Sequence, residues 1–194
     1  MNENIEFFFE LPENLKIFGL SPGETTRKDV DEIIIRQQFV ILTDEQPSPT
    51  VDNLFNPAPT EMVIGGAKLN ELYGFPLYGL ILNFHKGILD KLFCIFEHEG
   101  EPEIDFFNIF KKLEGDILGQ PHVINTPEEM TEETSEWNIS WSYRFFSISL
   151  VLNRETSDLI LIFSDKSIQK IIAKEEIRIF TDYVNRQMKG ESQK

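Results

Sequence analysis

"FSISLVLNRETSDLILIFSD", residues 146–165, is the stretch on which the fold turns. Two eight-residue runs, 146–153 and 158–165, carry apolar side chains at every second position or nearly so. Four turn-type residues, Arg154 to Ser157, separate them. Alternation with period two puts one set of side chains on one face of a strand, so the stretch reads as an antiparallel hairpin. Just upstream, "WNISWSYRF" (137–145) alternates as well, with Trp137, Ile139, Trp141, Tyr143 and Phe145 on one face. The phase flips at Phe146, which places a bulge or tight turn there. The row Trp137, Trp141, Tyr143 reads as core beneath helices. The competing reading is an exposed partner-binding surface, where Trp and Tyr are common hot spots.

A second stretch has the same layout. "GLILNFHKGILDKLFCIFE" (79–97) and "ISLVLNRETSDLILIFSD" (148–165) each run through an apolar strand ending in Leu-Asn, Leu82-Asn83 and Leu152-Asn153. Each continues through a short turn into a second apolar strand that ends in Phe plus a polar residue, and then a helix. This reads as a degenerate repeat of helix followed by β-meander; chance similarity between two hairpins is the alternative. "EMVIGG" and "AKLNELYG" read as further strands before the first hairpin, and "FVIL" (39–42) as another. Residues 5–9 and 15–18 read as short strands.

Three helices complete the pattern. "TTRKDVDEIIIRQQ" has Asp29 at capping-box spacing from Thr26, with Val30, Ile33 and Ile34 on one face. "PEIDFFNIFKKLEGDILG" places Ile104, Phe107, Phe110, Lys111 and Leu113 at spacings that give a helix with an apolar side, and ends at "GQP" (119–121). Residues 167–188 form the clearest helix, with Ile168, Ile171, Ile172, Ile179, Phe180, Tyr183, Val184 and Met188 as a stripe. The fold class is therefore α+β: an antiparallel meander sheet with helices packed on one face. The 194 residues suit one domain, 1–194, with two coupled halves, 1–100 and 101–194, as the alternative.

Composition narrows the function. With 18 basic against 33 acidic residues, the net charge is −15. Nucleic acid and anionic membrane are disfavoured, because both are held largely by Lys and Arg; a basic protein face is favoured. The acidic start "MNENIEFFFELPENLK" lacks the basic opening and apolar core of a secretory signal, and no apolar run approaches the ~20 residues of a membrane helix. A cytoplasmic location is expected. The single cysteine, Cys94, sits in "KLFCIFE" and reads as a buried, chemically quiet hydrophobe.

No catalytic pattern emerges. "FEHEGEPEIDFF" (96–107) is the densest chemical cluster, with Glu97, His98, Glu99, Glu101, Glu103 and Asp105. Yet it holds one nitrogen ligand and lacks the glycine-and-aspartate layout of a calcium loop. It reads as a joint into a helix, with Pro102 in the first turn and carboxylates facing the positive end of the helix dipole. His85 and His122 have no marked nucleophile nearby. Gly65-Gly66 lacks the rest of a phosphate-binding motif and reads as a bend or bulge. "NIS" (138–140) lies inside a strand, so its match to a glycosylation acceptor is chance. No cofactor or metal is expected, and no enzyme.

Two connections are candidates for partner contact. Residues 43–61, "TDEQPSPTVDNLFNPAPTE", hold four of the ten prolines, with Leu54 and Phe55 as apolar contacts. Residues 125–136 carry Glu128, Glu129, Glu132 and Glu133; over 97–136 there are twelve acidic and two basic side chains. These six residues are the expected contacts for a basic partner.

The segment "FGLSPGETTRKDVDEII", and "ILGQPHV" followed by "WSY…ISLVLN", resemble parts of the tandem modules of the β-lactamase-inhibitor-protein-like fold. Members of that group are commonly exported, and lipid-anchored or disulfide-bonded; this chain departs from them in having one cysteine. Its helix–sheet order and acidity are also similar to type III secretion chaperones and to bacterial toxin-immunity proteins. These resemblances imply a non-enzymatic protein that masks a partner, inhibitor- or immunity-like or chaperone-like. The alternative class is a small-molecule-binding protein or hydrolase whose site the sequence does not mark.

Overall fold

The structure is a computed structural model that describes residues 13–45, 60–66, 69–125 and 135–191; for Asn14, Glu45 and 186–191 it describes the backbone alone. The strand expected at 5–9, and Leu54, Phe55, Glu128, Glu129, Glu132 and Glu133, lie outside the described residues.

The chain opens with a 3-10 turn, Glu13–Leu15, where the sequence pattern suggested a strand at 15–18. Instead a single bridge joins Ile17 to Leu20. Phe18 (φ 54°) and Gly19 (φ 87°) close a two-residue turn between them. Two successive positive φ angles are the geometry that matches strand twist, so the chain reverses before a strand can lengthen. Leu15, Ile17 and Leu20 are buried all the same.

Helix α1 (Arg27–Gln37) starts where the capping box predicts. The Asp29 amide donates to Thr26 Oγ1 at 3.3 Å, and the Thr26 amide donates to Asp29 Oδ2 at 2.8 Å. Two otherwise unpaired donors are thereby satisfied. The β-branched run Ile33–Ile35 does not override this: Ile33 and Ile34 are buried and Ile35 is exposed. Gln38, in the left-handed region, ends the helix.

Next come β1 (Val40–Glu45), β2 (Thr60–Gly65), β3 (Glu71–Leu72), β4 (Phe75–His85) and β5 (Ile88–Phe96). The strand expected over "AKLNELYG" shrinks to the two residues of β3, paired with β4. The physical reason is that Leu69 and Leu72 are three apart, which breaks the period of two, and Tyr73-Gly74, both at positive φ, turns the chain at once. Gly66, at φ 112°, ends β2, while the bulge that the glycine pair suggested falls on β1, between Ile41 and Thr43. Gly65 makes room for it, since a Cβ there would lie 2.8 Å from Leu42 Cδ1.

Helix α2 (Pro102–Leu113) follows with proline in its first turn and Glu103 and Asp105 near its positive end. A π-helical turn, Glu114–Leu118, extends it until Gly119 at φ 70°. Then come β6 (Val123–Asn125), β7 (Glu136–Ser142), β8 (Phe146–Asn153), β9 (Asp158–Asp165) and helix α3 (Lys166–Glu191). The limits of β8 and β9 coincide with the two runs of the decisive stretch. The phase flip at Phe146 is a tight turn in which the Tyr143 amide donates to Phe146 O at 3.0 Å.

All the strands form one antiparallel sheet, with order β1-β2-β4-β5-β9-β8-β7-β6 and β3 beside β4. The order is palindromic about the β5–β9 pair. Leaving aside the two-residue β3, each half gives a helix and then four strands that run inward to the centre. A single core spans both halves: Leu82, Phe84, Leu92 and Cys94 from the first meander, and Ile139, Ile148, Leu150, Leu161 and Phe163 from the second.

Trp137 and Trp141 are core, as the alternation implied. Trp141 is fully buried and its Nε1 donates to Gly119 O at 2.8 Å. Phe106 of α2 meets Trp137 edge-on, with ring centroids 5.7 Å apart. Cys94 is buried too, and desolvation pushes its thiol well above the usual range. Among the described residues no helix is long and apolar enough to cross a membrane.

Helix α3 departs from expectation in what it buries. Asp165 Oδ1 accepts from the Ile168 amide at 2.7 Å and so caps its start. Ile168 is buried, but Ile171, Phe180 and Tyr183 of the expected stripe are exposed, as is Ile177. The helix instead runs across the strand ends. Gln169 Nε2 donates to both oxygens of Asp90 on β5 at 2.6 Å, and Glu175 pairs with Lys86 in the β4–β5 turn.

Candidate functional site

Strand direction alternates across the sheet, so the molecule has two ends. The upper end carries the β4–β5 turn, the close of β9 and the start of α3. The lower end carries the close of β5, the first turn of α2, the β8–β9 turn and the start of β7.

The acidic stretch that stands out in the sequence lies at the lower end. Glu97, His98 and Glu99 follow β5, while Glu101, Glu103 and Asp105 begin α2. The β8–β9 turn adds Glu155 and Asp158, and β7 begins at Glu136. Arg154 is the cation set among these eight carboxylates. Its Nε lies 3.7 Å from Glu103 Oε1, and its guanidinium lies over the Trp137 ring. The upper end mixes charges: Lys86, Lys166, Lys170 and Lys174 with Asp90, Asp165 and Glu175.

Two open hollows of about 230 and 390 Å³ flank the close of β5 and share Phe96, Glu97 and His98. The first is lined also by Phe75, Pro76, Glu99, Asp105 and Ile109; the second by Tyr78, Ile95, Thr156, Ser157 and Asp158. Phe96 and Ile109 are buried, so the first hollow has an apolar floor under an acidic rim. His98 divides the two and is held in place: its Nε2 sits 2.8 Å from Ser157 O, which makes that nitrogen the proton-bearing one. A rim of carboxylates with an apolar floor suits an apolar side chain flanked by cations.

The three histidines do not gather. His98 is at the lower end, His85 closes β4 at the upper end, and His122 precedes β6. His85 Nε2 lies 3.4 Å from Glu175 Oε2, too long for a good hydrogen bond. His122 Nδ1 accepts from the Ser142 amide at 3.0 Å. Among the described residues no three His, Cys, Asp or Glu side chains converge as metal ligands would.

The two segments that hold the expected contact residues are anchored at different ends of the sheet. The segment holding Glu128, Glu129, Glu132 and Glu133 leaves at Asn125 and rejoins at Ser135, both at the lower end. The segment holding Leu54 and Phe55 leaves at Glu45 and rejoins at Thr60, at the upper end and the opposite edge. Eight strands at ~4.8 Å spacing put those edges ~33 Å apart. Sequence reasoning did not assign Phe75, Phe96, Ile109 and Asp158 to a site. They belong to four separate elements, and only the β5–β9 pairing and the seating of α2 bring them around His98.

No family model matches the chain, and no curated protein matches it. A crystal structure of a DUF4309 family protein (YjgB) from Bacillus subtilis is similar over 81% of this chain and 88% of its own, at 16% identity and a TM-score of 0.40. A likeness at that level carries no argument about this chain.

Proposed function

We propose that this chain is a non-enzymatic protein-binding module that docks a basic partner at the lower end of its sheet. The observation that carries the reading is the gathering of eight carboxylates and one arginine at that end, where Glu97, Glu99, Asp105 and Asp158 line two hollows, the first with an apolar floor. The field of those carboxylates speeds encounter with a basic face, and the floor of Phe96 and Ile109 receives an apolar anchor. The same field repels polyanions, so nucleic acid and anionic membrane are not partners. Within this class the role is that of an inhibitor, an immunity protein or a chaperone, working in the cytoplasm. The matching order of the two halves, a helix and then four strands once the two-residue β3 is left aside, supports reading them as a degenerate repeat, with the partner taken by the second half and the close of β5. Glu128, Glu129, Glu132 and Glu133, in the segment between Asn125 and Ser135, add to the acidic charge that attracts a basic partner.

The test is capture of the partner from the native host, followed by amide-exchange footprinting of the complex. Protection confined to 96–106 and 154–158 is the expected result. A footprint that leaves both segments unchanged rejects the assignment.

A further inference from the structure

The outer edge of the sheet at β1 supports an inference that goes beyond the docking reading and concerns a different surface. β1 pairs with β2 on one side; among the described residues nothing pairs with its other side. Edge strands of soluble proteins usually carry charge or proline, because an open row of amides and carbonyls recruits other strands. The first half of β1 does neither. Val40, Ile41 and Leu42 are 51%, 43% and 55% exposed, and Ile35 at the end of α1 is exposed at 78%.

The second half of β1 has the opposite character. It ends on Asp44-Glu45, and Glu45 faces Glu61 directly across the ladder. Asp44 is paired with Arg27, but no cation pairs with Glu61 among the described residues. This end of the edge is therefore short of positive charge, while the other end is short of apolar cover. The bulge at Leu42 separates the two.

We propose that β1 takes an extended segment of a partner protein as an added antiparallel strand, basic in its N-terminal part and alternately apolar in its C-terminal part. Antiparallel addition continues the sheet and is the slightly stronger pairing. It sets the basic part along the Asp44-Glu45 end of β1 and the apolar part along Val40, Ile41 and Leu42. Main-chain hydrogen bonds give affinity, and the charge-to-apolar gradient gives direction.

The probe is a synthetic peptide of two lysines followed by alternating valine and threonine, titrated into the full chain by fluorescence anisotropy. Saturable binding is expected, with a loss of at least tenfold when the order of the peptide is reversed. N-methylation of alternate peptide amides leaves every side chain in place but removes the donors, and should abolish binding. Ile41→Lys should weaken it tenfold or more; because that variant can also disturb folding, the N-methylated peptide on the unaltered protein is the deciding arm. Binding of that peptide within twofold of its parent overturns the proposal, as does absence of saturable binding at millimolar peptide. Two other occupants would also overturn it. One is a dimer, seen by sedimentation, that the peptide does not dissociate. The other is exchange protection of the outward amides of β1 in peptide-free monomer, which would mean that the chain covers its own edge.

Discussion

Helices α2 and α3 look alike in sequence and are used differently. Both carry apolar stripes, and α3 is the longer, at 26 residues against 12. Yet α2 buries Phe106, Ile109 and Leu113 in the core, where Phe106 and Phe110 pack on Trp137 and Trp141. Helix α3 buries Ile168 and otherwise leans on polar contacts to the β4–β5 hairpin, Gln169 to Asp90 and Glu175 to Lys86. Helix α2 runs along the strands from the acidic end, so its whole length meets the sheet; α3 crosses the strand ends and leaves the sheet behind. Amphipathic spacing revealed both helices but misjudged the buried face of α2, where Ile104 and Phe107 are exposed and Phe106 and Ile109 are buried, and it does not supply the surface that would cover the α3 stripe.

The contrast can be broken most sharply at α2. Phe106→Ala should cost about 3–5 kcal/mol, because it removes a fully buried ring and leaves a cavity against Trp137. Chemical denaturation read by tryptophan fluorescence measures it. A loss below ~1 kcal/mol, within the range of surface substitutions and small packing changes, would mean that α2 does not pack as described.

At the α1 start, Thr26→Ala should cost about 1 kcal/mol by removing one half of the capping box. An unchanged denaturation midpoint would count against the box.

The polar footing of α3 predicts a smaller, pH-dependent effect. Burial raises the Asp90 carboxyl above its ordinary value, against the Gln169 hydrogen bonds that pull it down. For an acid with a raised folded pKa, the charged form carries a cost in the fold. That cost is present above the folded pKa, and it fades as pH falls toward the unfolded value of 3.8. Asp90→Asn should therefore be slightly more stable than the parent at neutral pH, and the gap should close on acidification through that window. A gap that widens as pH falls would have the wrong sign. The smallest effect is expected on distal α3: Phe180→Ala, at an exposed ring, should change stability by less than about 0.5 kcal/mol.

Local signals were readable where the chemistry is local. The runs 146–153 and 158–165, apolar and set apart by the turn residues 154–157, became β8 and β9 at those limits. Thr26 and Asp29 announced α1, and Pro102 and the acidic first turn announced α2. Two short strands were misread because Phe18-Gly19 and Tyr73-Gly74 turn the chain within two residues, and Phe18 and Tyr73 are not residues that advertise a positive φ. The apposition of β5 and β9 joins residues some seventy positions apart in the chain, Leu92 with Phe163 and Cys94 with Leu161, and no local pattern encodes it. The candidate site inherits that blindness. Its acidic half was visible as a cluster at 97–105, whereas its floor of Phe75, Phe96 and Ile109 depends on where α2 comes to rest.

The claim that the acidic lower end steers a basic partner is tested most directly by association kinetics. Stopped-flow rates for the captured partner would be measured across ionic strength for the parent and for a variant with Glu97, Glu99, Glu128, Glu129, Glu132 and Glu133 changed to Gln. Steering predicts a parent rate that falls as salt rises, and a variant that associates more slowly with a flatter salt dependence. Equal rates and equal slopes for the two proteins would contradict it and leave these carboxylates as solubilising charge.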